Sequence, residues 1–373
     1  MARNVQGRRS VKGGAAERRS AKSHEGAHSR VRPGAFHLVL LLVLSQSALA
    51  QSGPEPQAFL QRHAAFSKAD LAAVDRGHAV ARLLKTSRKT ELAAAGVVRV
   101  RVPLDDVVAR FRKIEEFKQG REVLAIGRFS SAPTTADLAS LKLGRRDLED
   151  LRKCRIGACL VRLTTVMEEK LRRDVNWAAP DSSAIAATVY RAALVEHVLR
   201  YLSAGDQALA SYLDTEPPTD LAMEVRGLLA ASPFVAEYLP EFRNYLTEFP
   251  AAKVPNSESL LYWSQEKFGL KPVTSVTHVI MFRPMPEAFV AASKQIYANH
   301  YFDASLGLTA FVAAESESGL EETYVVYVNR SRTKLLGGWL GFVKRPIAEA
   351  RLRKGMEDHL QAVKAKLESR NPS

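Results

Sequence analysis

Gly96-Val97-Val98-Arg99-Val100-Arg101-Val102-Pro103-Leu104-Asp105-Asp106-Val107-Val108 is the stretch on which the fold turns. Valine alternates with arginine from Val98 to Val102, so an extended chain here has one apolar side and one charged side, the pattern of a half-buried strand. Pro103 sits well in the first turn of a helix, where its missing N–H costs nothing, and Asp105 and Asp106 suit the positive end of the helix dipole. Leu104, Val107, Val108, Phe111, Ile114 and Phe117 then recur at helical spacing. A strand feeds a helix, and Val123–Phe129 reads as a second short strand.

Outward from that stretch the texture changes twice. Toward the N terminus, a Gly/Pro/Gln linker over 51–57 leads into Phe59–Lys85, which reads as helical with Leu71, Val74, Val80, Leu83 and Leu84 on its apolar face. Toward the C terminus, the chain reads as helical from about Thr134 to Gly269. This span includes Arg146–Lys153, Thr164–Trp177 and a long helix capped by Asp181 with the stripe Ile185, Val189, Ala192, Val195, Leu199 and Leu202. The aromatic run Pro233–Phe249 and a last helix capped by Asn256 complete it. Past Pro272, four strand-like runs follow: Val273–Arg283, Phe289–Phe302, Leu306–Ala314 and Thr323–Arg330. Short connections between consecutive strands imply antiparallel pairing. A basic helix from about Leu335 or Trp339 to Glu368 closes the chain, and its stripe of Leu352, Met356, Leu360, Val363 and Leu367 needs a sheet to cover it.

The expected fold class is therefore α+β: an antiparallel sheet gripping a long C-terminal helix, with a mainly helical insertion. The expected divisions are 1–50, 51–91, 92–133, 134–270 for the insertion, and 271–370. The opening strand and helix, with Gly337-Gly338-Trp339-Leu340 running through Arg353-Lys354-Gly355-Met356 to Leu367, resemble the START-like, helix-grip superfamily of polyketide cyclases, aromatases and lipid-transfer domains. The resemblance covers roughly 92–130 and 270–370. It implies a hydrophobic ligand held between sheet and closing helix, with chemistry there in some members.

The chain carries 54 Lys and Arg against 40 Asp and Glu, a net +14 that invites a nucleic-acid reading. Residues 1–35, however, hold nine basic residues and two acidic ones, half of that excess. The apolar run Leu38–Leu44 and the small-residue site Ala48-Leu49-Ala50 follow them. A run of seven is too short for a bilayer, which needs about 20 residues, and it reads as a signal peptide cleaved after Ala50. Arg8-Arg9 and Arg18-Arg19 hint at a twin-arginine signal, and Val31 offers an alternative start. The expected location is periplasmic or secreted. The mature remainder keeps a mild +7, which favours an anionic membrane surface over nucleic acid as partner of the basic closing helix.

Cys154-Arg155-Ile156-Gly157-Ala158-Cys159 holds both cysteines. On a helix their Cα atoms lie beyond bonding range, so a bridge needs the turn that Gly157 allows. Such a bridge contributes about 2 kcal/mol in the chain-entropy model, and two free thiols or a redox pair are the alternatives. No glycine-rich phosphate loop, nucleophile elbow or paired-histidine motif occurs, so no cofactor and no metal are expected. Ser264-Gln265-Glu266-Lys267 matches S-x-x-K without its partner motif. The most unusual segment is Lys294–Phe302, where strict alternation puts Gln295, Tyr297, Asn299 and Tyr301 on one face, mixing aromatic bulk with hydrogen-bonding ends as a cavity for an amphipathic ligand requires. Lys294, Ile296, Ala298, His300 and Phe302 share the other face. His278 and Tyr327 are second candidates on neighbouring strands. The expected function is an exported protein binding a lipid or other hydrophobic small molecule. The rivals are an envelope scaffold that meets a protein partner through the insertion, and a cyclase- or aromatase-type enzyme using the same cavity.

Overall fold

Two short helices, α1 (Pro56–Ala64) and α2 (Lys68–Asp75), and a four-residue strand, β1 (Val80–Leu83), stand where the periodicity gave one helix over Phe59–Lys85. Ala65 takes a positive φ of 55°, which ends α1, and Ser67 with Asp70 forms a capping box that restarts the chain as α2. Gly77, at φ 88°, turns it out of α2. The computed structural model describes residues 56–369, apart from 210, 269–270, 317 and 339–340. The apolar run Leu38–Leu44, the cleavage site after Ala50, the helix stop at Gly269 and the Trp339-Leu340 helix start lie outside the described residues.

The Val/Arg stretch forms β2 (Glu91–Val100) and passes through Pro103 into α3 (Leu104–Arg112) and α4 (Ile114–Lys118). Strand β3 (Val123–Arg128) follows. The helical run then comprises α5 (Arg145–Lys153), α6 (Thr165–Asp174), α7 (Ser182–Ala204), α8 (Leu221–Ala230), α9 (Pro233–Tyr238) and α10 (Pro240–Glu248). Five long strands come next: β4 (Glu258–Lys267), β5 (Pro272–Met285), β6 (Ala288–Ala298), β7 (Ala304–Glu315) and β8 (Glu321–Arg332). Helix α11 (Gly341–Glu368) ends the described chain.

Strand β4 corrects the helix expected after Asn256. Leu260 and Tyr262 point to one face and Leu261 and Trp263 to the other, and all four are buried because helices cover both faces. A strand buried on both sides loses its period of two and reads as a helix. Asn256 adopts φ 57° in the turn before β4. Ser264 and Lys267 therefore lie three apart on a strand, on opposite faces, and the S-x-x-K pairing is lost. The cysteine segment follows α5; Gly157 has φ 82°, and the two sulfurs are at disulfide distance, 2.04 Å.

All eight strands pair antiparallel in the order β1-β2-β8-β7-β6-β5-β4-β3. Strand β2 thus lies beside the last strand, β8, with Gly96 opposite Tyr327. Helices α3, α4 and α11 cover the inner face of the sheet, where Val98, Val279, Phe289, Phe311 and Val325 meet Phe111, Ile114, Met356, Leu360 and Val363. On the outer face, α1 and α2 cover Ala95, Val97 and Val326, and the helices between β3 and β4 cover Val276, Ile280, Ala292 and Tyr297.

Met356, Leu360, Val363 and Leu367 are the buried stripe of α11 and stabilise its seat by about 1.5–3 kcal/mol each. Gly96 permits the close approach, since a Cβ there would stand 2.6 Å from Leu360 Cδ1. Arg110 of α3 donates to the Leu367 carbonyl at 2.7 Å, placing a cation at the negative end of α11.

Candidate functional site

A β-bulge decides which residues meet. Val276 pairs with Tyr297 and Thr277 with Gln295, so Ile296 has no partner on β5. Past that extra residue the alternation reverses. Tyr297 and Lys294 share the outer face, and Gln295 turns to the inner face beside Thr277 and Tyr262. The four-residue face expected from strict alternation is therefore split. His197 Nε2 donates to the Ile296 carbonyl at 2.8 Å, satisfying a group that the bulge leaves free. Desolvation holds the His197 imidazole below its usual pKa, in keeping with a neutral donor.

Two of the outer-face candidates, Tyr297 and His278, anchor the sheet to the helical layer. Tyr297 donates to the Arg162 carbonyl at 2.8 Å and lies 2.9 Å from the Tyr190 hydroxyl. Thr274 N–H donates to Asn299 Oδ1 at 2.7 Å, and Lys271 N–H to the Tyr301 hydroxyl at 2.8 Å. The Tyr201 hydroxyl is hydrogen-bonded to His278 Nδ1 at 2.8 Å. Lys294 pairs with Asp206 and donates to the Leu246 carbonyl, while His300 meets Asp147 at 2.9 Å. Tyr297, Asn299 and His278 are buried and Tyr301 is half-buried. Tyr297 and His278 thereby tie the sheet to α7, Asn299 and Tyr301 tie the end of β6 to the start of β5, and His278 Nε2 and Asn299 Nδ2 are buried without a hydrogen-bond partner.

The inner face instead grades from apolar to polar. Phe289, Phe311, Val325 and Met281 occupy one end. Toward the other end, the same rows of the pleat continue as Ser275, Thr277, Ser293, Gln295, Thr309, Tyr327 and Asn329. Where the two meet, a cavity of about 90 Å³ lies between sheet and helices. Phe111, Ile114, Phe117, Val325 and Val363 form its apolar wall, and Lys118, Tyr262, Ser293, Thr309, Tyr327 and His359 its polar one. Gly307 makes room for the phenol, because a Cβ there would stand 3.0 Å from the Tyr327 hydroxyl.

The charges at this polar wall cancel locally. Lys118 Nζ lies 3.1 Å from Glu266, and the Ser264 hydroxyl donates to the same carboxylate at 2.6 Å. Desolvation opposes the lysine's charge, but Glu266 outweighs it and holds the pKa above the ordinary lysine value. For Glu266, desolvation acts upward, and Lys118 with Ser264 outweighs it to hold the carboxyl below its usual range. The pair is thus ionised and neutral overall. Desolvation raises the Tyr327 pKa, keeping a protonated phenol that accepts from Asn329 Nδ2 at 3.2 Å. The His359 ring is 6.4 Å from the Tyr327 ring at an exposed rim, and the protein on its inner side followed by the Lys118 charge lowers its pKa. Gln295 is 8% exposed, and its Oε1 has no hydrogen-bond partner.

A larger cleft of about 520 Å³ opens at the far ends of β3 and β4, lined by Arg128, Ser130, Asp137 and Ser259. Its polar groups are engaged in local structure: Asp137 Oδ2 accepts from Ser130 and from Thr134 N–H. Among the described residues, no cluster of three or more His, Cys, Asp or Glu is arranged to hold a metal.

Of the expected site residues, only Tyr327 and Gln295 belong to the inner face. Lys118, Glu266, Tyr262 and His359 carry no local signal that marks them as site residues. The i, i+2 row Tyr262, Ser264 and Glu266 becomes visible only once β4 is read as a strand. No family model matches the chain, and a comparison with curated proteins finds no match.

Proposed function

We propose that this is a helix-grip protein of START-like kind that binds a small, uncharged amphipathic molecule between the inner face of the sheet and α11. The carrying observation is a cavity of about 90 Å³ on a sheet face that passes from phenylalanine and valine to serine, threonine and tyrosine. The ligand's apolar part rests on Phe111, Phe117 and Val325, and its polar end lies toward Tyr327 and Ser293. The neutral Lys118–Glu266 pair asks for no ionic group. The order of strand, helix pair, antiparallel strands and closing helix supports the same reading. At about 90 Å³ the cavity is well below the roughly 300–1,000 Å³ of sites for drug-sized ligands, so a whole lipid chain requires α11 to lift away. Export of the chain, read from residues 1–50, completes the proposal.

Native mass spectrometry of the purified protein, with analysis of its organic extract, tests this. A bound mass that disappears in Ser293→Leu supports the reading. A clean apo mass, with no compound in the extract, sinks it. Acid–base chemistry of the cyclase type is the second reading, favoured by His359 beside a protonated Tyr327. A Tyr327→Phe variant that keeps the bound compound but no longer converts it would support that reading.

A further inference from the structure

The N-terminal turns of α11 carry apolar side chains away from the protein. Phe342 is 74% exposed, Val343 48% and Ile347 52%, and Leu335, shortly before the helix, is 52% exposed. Val343 and Ile347 fall one turn apart on the side opposite the buried stripe, whereas Phe342 leaves the first turn on the stripe's own side; all three are exposed among the described residues. Residues 341–354 hold five basic residues and one acidic one, Glu349, which pairs with Arg345 at 2.7 Å. Arg345 also donates to the Lys89 carbonyl and to Thr86, bringing the exposed Lys85–Lys89 loop against this end of the helix. Lys85, Lys89, Lys344 and Arg351 are exposed and have no carboxylate at ion-pairing distance among the described residues.

We infer that this face is a docking surface for an anionic lipid bilayer. Apolar side chains at the centre enter the boundary between headgroups and acyl chains, and the surrounding cations meet the negative lipid surface. A second copy of the chain fits poorly, because a two-fold contact sets the same unpaired cations against each other. Helix α11 carries charges along its whole length, so it lies on a membrane instead of crossing it. The inference is independent of the cavity, since none of these side chains lines it.

The test is co-sedimentation of residues 52–373, a compact unit without the basic arm, with vesicles. Binding is expected to phosphatidylcholine vesicles containing phosphatidylglycerol and not to phosphatidylcholine alone, and it weakens with added salt. Phe342→Ser with Ile347→Ser lowers partitioning by about tenfold or more, and Lys344→Gln with Arg351→Gln lowers it about fivefold per charge. All four side chains are exposed, so the thermal midpoint stays unchanged and reports intact folding. Absence of binding to anionic vesicles overturns the inference, as does binding that neither double variant alters. A concentration-dependent dimer that Phe342→Ser dissolves also overturns it, by assigning the face to a second copy.

Discussion

Acid should destabilise this protein through His278, and the size of the effect can be worked from its surroundings. The ring lies beneath α7 with Tyr201 hydrogen-bonded to Nδ1. Burial, with the charge of Lys294 second, pushes its pKa down to about 3 from an ordinary 6.5. The unfolded chain takes up a proton below pH 6.5 that the folded chain refuses until about pH 3. Stability therefore falls as pH drops through that window. The loss from this one residue is about 2 kcal/mol at about pH 5 and approaches about 5 kcal/mol below pH 3. The perturbation is His278→Gln, which keeps an acceptor for Tyr201 and cannot titrate. Urea unfolding of both proteins, at about pH 7.5 and about pH 5, reads the difference. Carboxylates common to both proteins cancel, so the variant's stability should drop by about 2 kcal/mol less than the wild type's between the two pH values. Parallel stability-versus-pH curves would refute the claim that His278 is held neutral by burial.

Three further outcomes follow from particular contacts. Lys294→Met strands the buried Asp206 carboxylate and should cost about 3–5 kcal/mol in urea unfolding, whereas Lys294→Met with Asp206→Leu should recover most of it; a double variant as unstable as the single one contradicts this. Gly96→Val drives side-chain atoms into Leu360 and Met356 and should cost about 1–3 kcal/mol, with hydrogen exchange of α11 rising most; unchanged stability would mean that α11 does not lie against β2. Gln295→Leu removes a buried acceptor without a partner, so the protein should gain about 1 kcal/mol or more in thermal unfolding; a loss of stability would show that Gln295 Oε1 is satisfied in solution.

Reading this fold from residues works where the signal is local. The Val/Arg alternation, Pro103 and the two aspartates lie within a dozen positions, and β2 and α3 form where they specify, although β2 is buried on both faces and not half-buried. The runs after Pro272 are separated by short turns, and they form β5 to β8 in antiparallel register. Strand β4 escapes because helices cover both its faces and erase the alternation that marks a strand. The single helix expected over Phe59–Lys85 fails because the apolar spacing continues through Ala65 and Gly77, where the backbone turns.

The site was less legible than the fold. Tyr297 stands out for its aromatic bulk, yet that bulk packs against a helical layer whose position over the outer face no local pattern encodes. The residue pattern puts Tyr327 on a neighbouring strand without fixing its direction, and in the fold it lines the cavity.

The residues alone determined the α+β class, the strand-to-helix opening and the amphipathic closing helix, because each depends on side-chain period and capping within a few turns of chain. Tertiary structure alone decided that β2 lies beside β8 and that Ile296 bulges out of β6. It also decided that Gln295 and Tyr327 share the inner face with Lys118 and Glu266. Those facts belong to pairs of segments far apart in sequence, and a one-residue bulge, set by the partner strand and held by His197, reverses which side of the sheet every following residue faces.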